Sequence, residues 1–579
     1  MAKINLSESF GSAVFEGFGG IDRARVGKGG VGVVDLNNFR VGTDGTLTKR
    51  PGFAPLAHLP EGKVRAICST PEGSVFALIG SSVYEIDSRT GVCSLKNTVK
   101  ESDLDACFFN YATDLYLMDG NELYTYNGSQ FTLTEGYIPL YGKDWPPAGS
   151  NVINEPLNAF SSKIRISYKM TASSTSRVSL PFPIKSIDRV HLNGRNDSLS
   201  NYKKNANSNT LLDFTQPCTA GDVLEVFYTP NTTLIADARK KIAACARAES
   251  IGVGFKNGIL STLVLYGGAS THEVYASKTV SQSALNTVRS AFPDVVPIYF
   301  DPSNFVAINH NDPPIKAACK SGTRLAIFTD TTAYIMDEPA ANTAPSAIPI
   351  SYTSGCAIKD CAITLESSPV TVSKNGILRW SLNELIDEYT TEHLSLPISE
   401  LLSETVGDGC SAFYNTKNEL WFYRSVDRRA WIYNTVLKCW YSFSGFSPEK
   451  MLEIDGRMAF VQGSTLYVFD EFIFYDETED GAKEIDAYLL SDMMSFGAPN
   501  RKKRLSRAMV AFSAEGSPTL TVTDAEDTSI EIPILVTGEE KIDYYETRIP
   551  AKRSRYYSFT LSHSAGPIKL YAIALSAVK

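Results

Sequence analysis

Catalysis needs reactive side chains at particular spacings, and this sequence offers several sets to weigh. Six histidines, at positions 58, 191, 272, 310, 393 and 563, fall into no HxH, HxxxH or HExxH spacing, so a metal site lacks its usual ligand pattern. Ten cysteines stand at 68, 93, 107, 218, 245, 319, 356, 361, 410 and 439, with no CxxC pair to suggest a zinc ribbon or a thioredoxin-like centre. Their apolar or small neighbours point to buried, reduced thiols that pack as small hydrophobes. Cys356 and Cys361 form the one close pair, which could bridge or hold a metal if the chain folds back there. The glycine-rich run GKGGVG at 27–32 lacks the Lys-Ser/Thr ending of a phosphate loop, and no GxSxG elbow precedes a helix.

Two charged clusters remain. Asp476, Glu477, Glu479 and Asp480 read as a solvated loop or, more sharply, as a negative collar lining a channel. Such a lining lets DNA slide without sticking, because it is contact between cations and phosphates that holds a duplex. Arg501, Lys502, Lys503 and Arg504, with Arg507 beyond, read as a surface turn before a strand, as a dock for an acidic neighbouring subunit, or as a DNA contact. No catalytic, cofactor or metal-binding residue emerges, and no enzymatic activity is expected. Carboxylates are plentiful and a glycosidase needs only two, so a polysaccharide depolymerase or another glycan- or receptor-binding propeller is the competing reading.

Composition narrows the classes. The 579 residues exceed one compact core, while 43% hydrophobic and 21% charged residues describe a chain folded nearly throughout. A net charge of −9 argues against general nucleic-acid binding. No leader pattern is visible at positions 1–13, and no run approaches the ~18 apolar residues of a spanning helix, so synthesis in a cytoplasm and no membrane-spanning segment are expected.

The elements that must position these residues are strands, for which 28 tyrosines and 29 phenylalanines are suited. One unit recurs: a short alternating run, a polar or glycine turn, and a second run holding an aromatic. It occurs at 74–80 with 82–87, 114–120 with 122–127, 324–329 with 333–337, 370–373 with 377–381, 419–424 with 429–434, 458–462 with 465–470 and, more weakly, 263–266 with 273–275. Hairpins repeating at roughly 40–50 residues indicate a propeller whose blades bury their faces on one another. The expected fold is all-β: a β-propeller of about six or seven blades, an inserted small β domain, and a C-terminal β-sandwich-like module. Its alternative is a sandwich or several small β domains. The segments are an N-terminal arm with first strands (1–60), blades (61–150), the insert (151–232), further blades (233–482) and the C-terminal module (483–579). Within the insert, 195–209 reads as an exposed loop; after it, 234–248 reads as a helix returning the chain to the propeller.

Asp35 to Arg40 (DLNNFR), followed by DGTLTKRPGF at 44–53, resembles the opening of tail nozzle proteins of short-tailed bacteriophages, the tail tubular protein B or packaged-DNA stabilisation protein family. Gly45, Leu47, Lys49, Arg50 and Pro51 stand at the places of that family's phrase. Physically, Gly45 permits a tight turn, Pro51 ends a strand, and Lys49 and Arg50 can pin the arm to acidic groups. Lys49 and Arg50 also join 501–504 as candidate subunit-docking residues. FGAPNRKKR at 496–504, RSRYYSF at 553–559 and KLY at 569–571 look like the closing module of such proteins. The resemblance implies a virion protein assembled in the host cytoplasm. It would form a hexameric ring at the distal tail, a channel and gate that retains and then releases genomic DNA without sequence-specific binding. A tail adaptor, other tail proteins and fibres would dock on it; no cofactor is implied.

Overall fold

The computed structural model describes residues 9–16, 18–23, 33–149, 152–172, 174–252, 261–268, 271–308, 313–339, 343–383, 388–402, 411–536 and 542–578. The run at 27–32, His310 and Cys410 lie outside them. Six of the hairpins identified above form the two middle strands of a four-stranded antiparallel sheet, and the seventh, 419–424 with 429–434, holds the same place in four strands that continue into a larger sheet. In Val64–Ser69, Ser74–Ile79, Ser82–Asp87 and Cys93–Thr98, the second strand is buried on both faces. Its Val75, Ala77 and Ile79 pack with Leu452, Ala459 and Val461 on one side, while Phe76 and Leu78 pack with Leu115 and Leu117 on the other. A strand sandwiched in this way must be apolar at every position, which is why it stands out in the sequence.

Seven such blades form a β-propeller. Their innermost strands are Val64–Ser69, Cys107–Tyr111, Arg247–Ile251, Ala317–Ser321, Ala362–Leu365, Ser411–Asn415 and Lys450–Ile454. Each touches the next, and the seventh touches the first, so the ring is closed. Closure also comes from strand pairing: the outer strand of blade 7 is Gly52–His58, from the N-terminal part of the chain, paired antiparallel with Thr465–Asp470. Closing the last blade with a distant strand costs chain entropy once and leaves no loose blade at the seam.

Between blades 2 and 3 the chain makes a small separate β domain. One sheet has the order Leu140–Trp145, Ile164–Lys169, Val223–Pro230, Ile184–Leu192 and Arg195–Asn196, and a second joins Thr175–Ser179, Leu211–Cys218 and Tyr202–Lys204. Its core includes Ile164, Ile166, Val178, Val190, Leu212 and Leu224. The domain starts at Leu140, ahead of 151, because Leu140–Trp145 pairs in parallel with Ile164–Lys169, a pairing no local pattern records. The stretch 195–209 is less loop-like than its composition suggests, since Tyr202 is buried against Phe214 with ring centres 5.4 Å apart. The returning helix is Thr233–Ala243, and residues 247–251 are already the inner strand of blade 3. A second helix, Gln282–Arg289, sets Leu285 and Val288 in one core with Phe227 and so docks the domain on blade 3.

The sandwich is built from both chain ends. In one sheet Phe39–Val41, Leu47–Lys49, Ile568–Val578, Arg504–Ala514 and Asp543–Arg548 follow in order, with Ser9–Glu16 also on Ile568–Val578. The other runs Val33–Asn37, Ala487–Ser491, Tyr557–His563, Thr519–Asp524 and Ser529–Pro533. Asn37 pairs in parallel with Ser442 at the edge of blade 6, so this sheet and the blade make one continuous nine-stranded surface.

Where these parts meet, Arg50 is fully buried. It donates to both carboxylate oxygens of Asp476 at 2.8 and 2.6 Å, to Asn38 Oδ1 at 2.8 Å, and to the carbonyls of Pro51 and Ser444 at 2.9 and 2.7 Å. Phe53, Phe446 and Phe469 surround its guanidinium. Gly52 lets the acidic hairpin, Tyr475–Thr478 with Gly481–Glu484, press against it, for a Cβ there would lie 1.8 Å from the Tyr475 carbonyl oxygen. Breaking a buried pair strands a charge, so Arg50→Met is expected to cost about 3–5 kcal/mol. Arg50→Met/Asp476→Leu, which leaves neither charge, is expected to recover part of that loss. Urea unfolding followed by tryptophan emission reads this directly, since four of the five tryptophans, 380, 421, 431 and 440, lie in blades 5 and 6.

Candidate functional site

The charged residues singled out in the sequence divide sharply by burial. Arg50 and Lys49 are internal and are therefore not docking residues. Lys49 Nζ is held by the carbonyls of Ser564 and, at 3.0 Å, Gly566, which ties the N-terminal strand to the sandwich. The expectation that they pin the arm to acidic groups holds for Arg50 alone; Lys49 meets carbonyls. Lys503 is likewise buried, its ammonium on the carbonyls of Ser495 and Ala498, and leaves the docking set. Burial holds its ammonium below the usual lysine range. Arg501, Lys502 and Arg504 are exposed. Asp476, as the partner of Arg50, does not line a channel; burial raises its carboxyl against the pull of Arg50. Glu477, Glu479 and Asp480 are exposed on a hairpin that packs against Gly52–His58, the outermost strand of blade 7, and so lie far from the propeller axis. Cys356 and Cys361 do fold together, with the Cys356 thiol donating to the Cys361 carbonyl at 3.2 Å and no disulfide. Burial pushes the Cys356 and Cys107 thiols up to about 12, so both stay neutral and unreactive.

The strongest grouping of charge is one the sequence reading missed. Every blade repeats the same order from inside to outside, so all seven inner strands begin at one end of the axis. At or just before those starts stand Lys63, Asp105, Arg247, Lys316, Asp360 and Lys450. Arg247, opening blade 3, is bidentate on Asp360, which precedes the inner strand of blade 5; the Nε contact is 2.7 Å. Lys359 pairs with Asp105, which precedes blade 2. In a ring of seven, blades 2 and 5 lie across the axis from one another, so these pairs bridge its mouth. Burial and the nearby Arg247 hold the Lys450 ammonium below its ordinary range, against Asp360 and Asp105. Arg65, buried in blade 1, donates to Leu104 O at 2.9 Å and to the Asp119 carbonyl, locking blade 1 to blade 2 at the same mouth. The signal that would have revealed this set is a charged residue recurring just ahead of each blade, a period visible only once the blades are phased.

Further along the axis, Glu249 lies on the inner strand of blade 3, and burial pushes its carboxyl up to about 7 against the pull of Lys320. Elsewhere an open acidic cleft of about 720 Å³ lies between blades 1 and 7, lined by Glu72, Glu85, Asp87 and Asp455 among others. Two of these acids are engaged: Glu85 takes Ser74 at 2.8 Å and Lys96 at 2.6 Å, and Asp87 takes the amides of Arg89 and Thr90. Among the described residues no group of three or more potential ligands is placed to hold a metal ion.

No family model matches the chain, and no curated protein matches it. Solved structures similar to it include the WD40 domain of SCAP from fission yeast, at 10% identity over 75% of this chain and 98% of that one, with a TM-score of 0.31. YCF48 bound to D1 peptide gives 8%, 76%, 97% and 0.33, and a mitotic checkpoint complex gives 8%, 74%, 93% and 0.35. No helix of the described residues is long and apolar enough to cross a membrane.

The position of Glu249 makes stability depend on pH. The native chain keeps a proton that the unfolded chain releases, so stability falls as pH rises from about 4.5, where the unfolded carboxyl titrates, to about 7. Thermal melts across that window are expected to flatten in Glu249→Gln, which should be the more stable protein at pH 8.

Proposed function

We propose that this chain is a structural virion protein, a subunit of the distal tail nozzle of a bacteriophage, assembled as a ring whose bore passes genomic DNA. The observation that carries the reading is the role of the DGTLTKRPGF segment, the part that resembles nozzle proteins. Gly45, at φ +72°, makes the turn, Leu47–Lys49 completes the sandwich, Arg50 locks the joint, and Gly52–His58 closes the propeller. A segment that joins propeller to sandwich is what a stiff joint in a rigid assembly requires, because strain at one part passes to the other through close-packed contacts. Arg40 adds to the lock by pairing at 2.8 Å with Glu419, which also accepts from Trp421 and Tyr441. Asp35 does the same for Arg429 of blade 6 and Tyr488 of the sandwich.

Because ion pairs bridge the mouth of the propeller axis, the bore on this reading runs between subunits and not through one propeller. Ring closure then uses heterologous faces related by rotation. The insert at 140–230 is a surface for gating DNA, and the outer faces of the blades offer positions for an adaptor or fibres.

Negative-stain images of the purified chain at high concentration, alone and with its tail neighbours, test the proposal. Closed rings with a central bore are expected. A chain that stays monomeric in both settings and is retained by defined glycans overturns it in favour of the receptor-binding reading.

A further inference from the structure

Two exposed features of opposite sign stand at opposite ends of the sandwich. Lys503 and Ser554 exchange backbone hydrogen bonds at 2.9 and 3.0 Å, which brings two basic turns together. Arg501, Lys502 and Arg504 of one turn and Lys552, Arg553 and Arg555 of the other are all exposed around this bridge, with Tyr556 partly exposed beside them. Lys502 lies 3.8 Å from Glu526 in a solvent-exposed pair. Asp524, Glu526 and Asp527 of the adjoining turn, whose Ala525 amide donates to Ser554 Oγ at 3.2 Å, are outnumbered by the six cations, so the patch is locally positive in a chain of net charge −9.

The acidic hairpin supplies the counterpart. Glu477, Glu479, Asp480 and Glu484 are exposed on it, offset by Lys483, which lies 3.3 Å from Asp480. At its base Phe472 is 91% exposed and Tyr475 42% exposed, an aromatic surface that this chain does not cover. Large aromatics left in water beside charge are typical of interface anchors.

Their placement decides whether one chain could satisfy both. Strand Tyr557–His563 starts at the basic patch, where the Tyr557 hydroxyl donates to Lys503 O at 2.7 Å. It ends at His563, which pairs with Ala487, the first residue of the strand that leaves the hairpin. Seven residues of strand separate the two features by roughly 20 Å. At that separation they do not touch within one chain and can meet only between chains.

We propose that the acidic, aromatic hairpin of one copy docks on the basic patch of the next. The inference rests on the ring reading and adds the surfaces that join its subunits. Two unlike patches make a heterologous, head-to-tail contact, which propagates and closes by rotation. Copies of net negative charge repel at long range, so local attraction of this kind sets both the encounter and the register.

The test is a charge exchange in the full chain. Arg501→Glu/Lys502→Glu/Arg504→Glu/Lys552→Glu/Arg555→Glu, five of the six cations, makes both patches negative; Glu477→Lys/Asp480→Lys/Glu484→Lys makes both positive and spares Glu479, which accepts the Thr465 hydroxyl. Each variant alone is expected to associate at least about tenfold more weakly than wild type by sedimentation velocity, and added salt should weaken wild type in the same direction. An equimolar mixture should assemble again, because every junction then joins opposite signs. Assembly of wild type that persists in both variants overturns the proposed surfaces and leaves the ring reading standing; wild type that never assembles overturns the ring reading itself. Loss in each variant without recovery in the mixture, or unchanged assembly with loss of duplex DNA binding in the first variant, also overturns the inference.

Discussion

A buried guanidinium is costly unless every direction it points is answered, and Arg50 is answered by a carboxylate, a side-chain amide oxygen and two carbonyls that come from four separate parts of the chain. Asn38 belongs to the arm, Ser444 to blade 6, Asp476 to the acidic hairpin, and Pro51 leads into the strand that closes blade 7. None of these can move without exposing a charge to an apolar ring of three phenylalanines. The interaction is thus a geometric constraint more than a source of net stability, because the desolvation of both ions offsets most of their attraction. It fixes how the propeller and the sandwich are joined.

That constraint works together with two kinds of closure. The outer strand of blade 7 comes from the N-terminal segment, so the ring cannot open at its seam without withdrawing Gly52–His58. The edge of blade 6, normally the outermost strand, is covered by Val33–Asn37 and so continues into the sandwich. Exposed strand edges invite unwanted pairing, and here two of them are taken up by the same N-terminal stretch. At the axis the blades are held by charge: Arg247 with Asp360 and Lys359 with Asp105 tie blades that do not touch as neighbours.

The seven hairpins were legible because strands buried on both faces need unbroken apolar runs, and because turns such as Gly80 and Asp119-Gly120 punctuate them. Inner and outer strands were harder to see. The inner strand Arg247–Ile251 is half-buried and polar enough to be read as the tail of a helix, and the outer strand Cys93–Thr98 carries no buried residue. Among the charged residues, types and clusters were apparent, but burial was not. Lys503 sits in a run of four cations whose other three face water, and Asp476 differs from Glu477 only in facing inward. A strand sends alternate residues to opposite faces, so adjacent like charges meet opposite fates.

The sequence by itself determined the class of fold, the repeating unit, the presence of an insert after the second blade and the importance of the KRP segment, because hydrophobic period and turn residues are local properties. Only the tertiary structure decided that blade 7 closes with a strand from the other end of the chain, that the sandwich takes strands from both termini, and that Arg50 meets Asp476. Each of those depends on contacts between residues hundreds of positions apart. Such contacts are selected by the shape complementarity of surfaces that exist only after the local elements have formed, and no spacing along the chain encodes them.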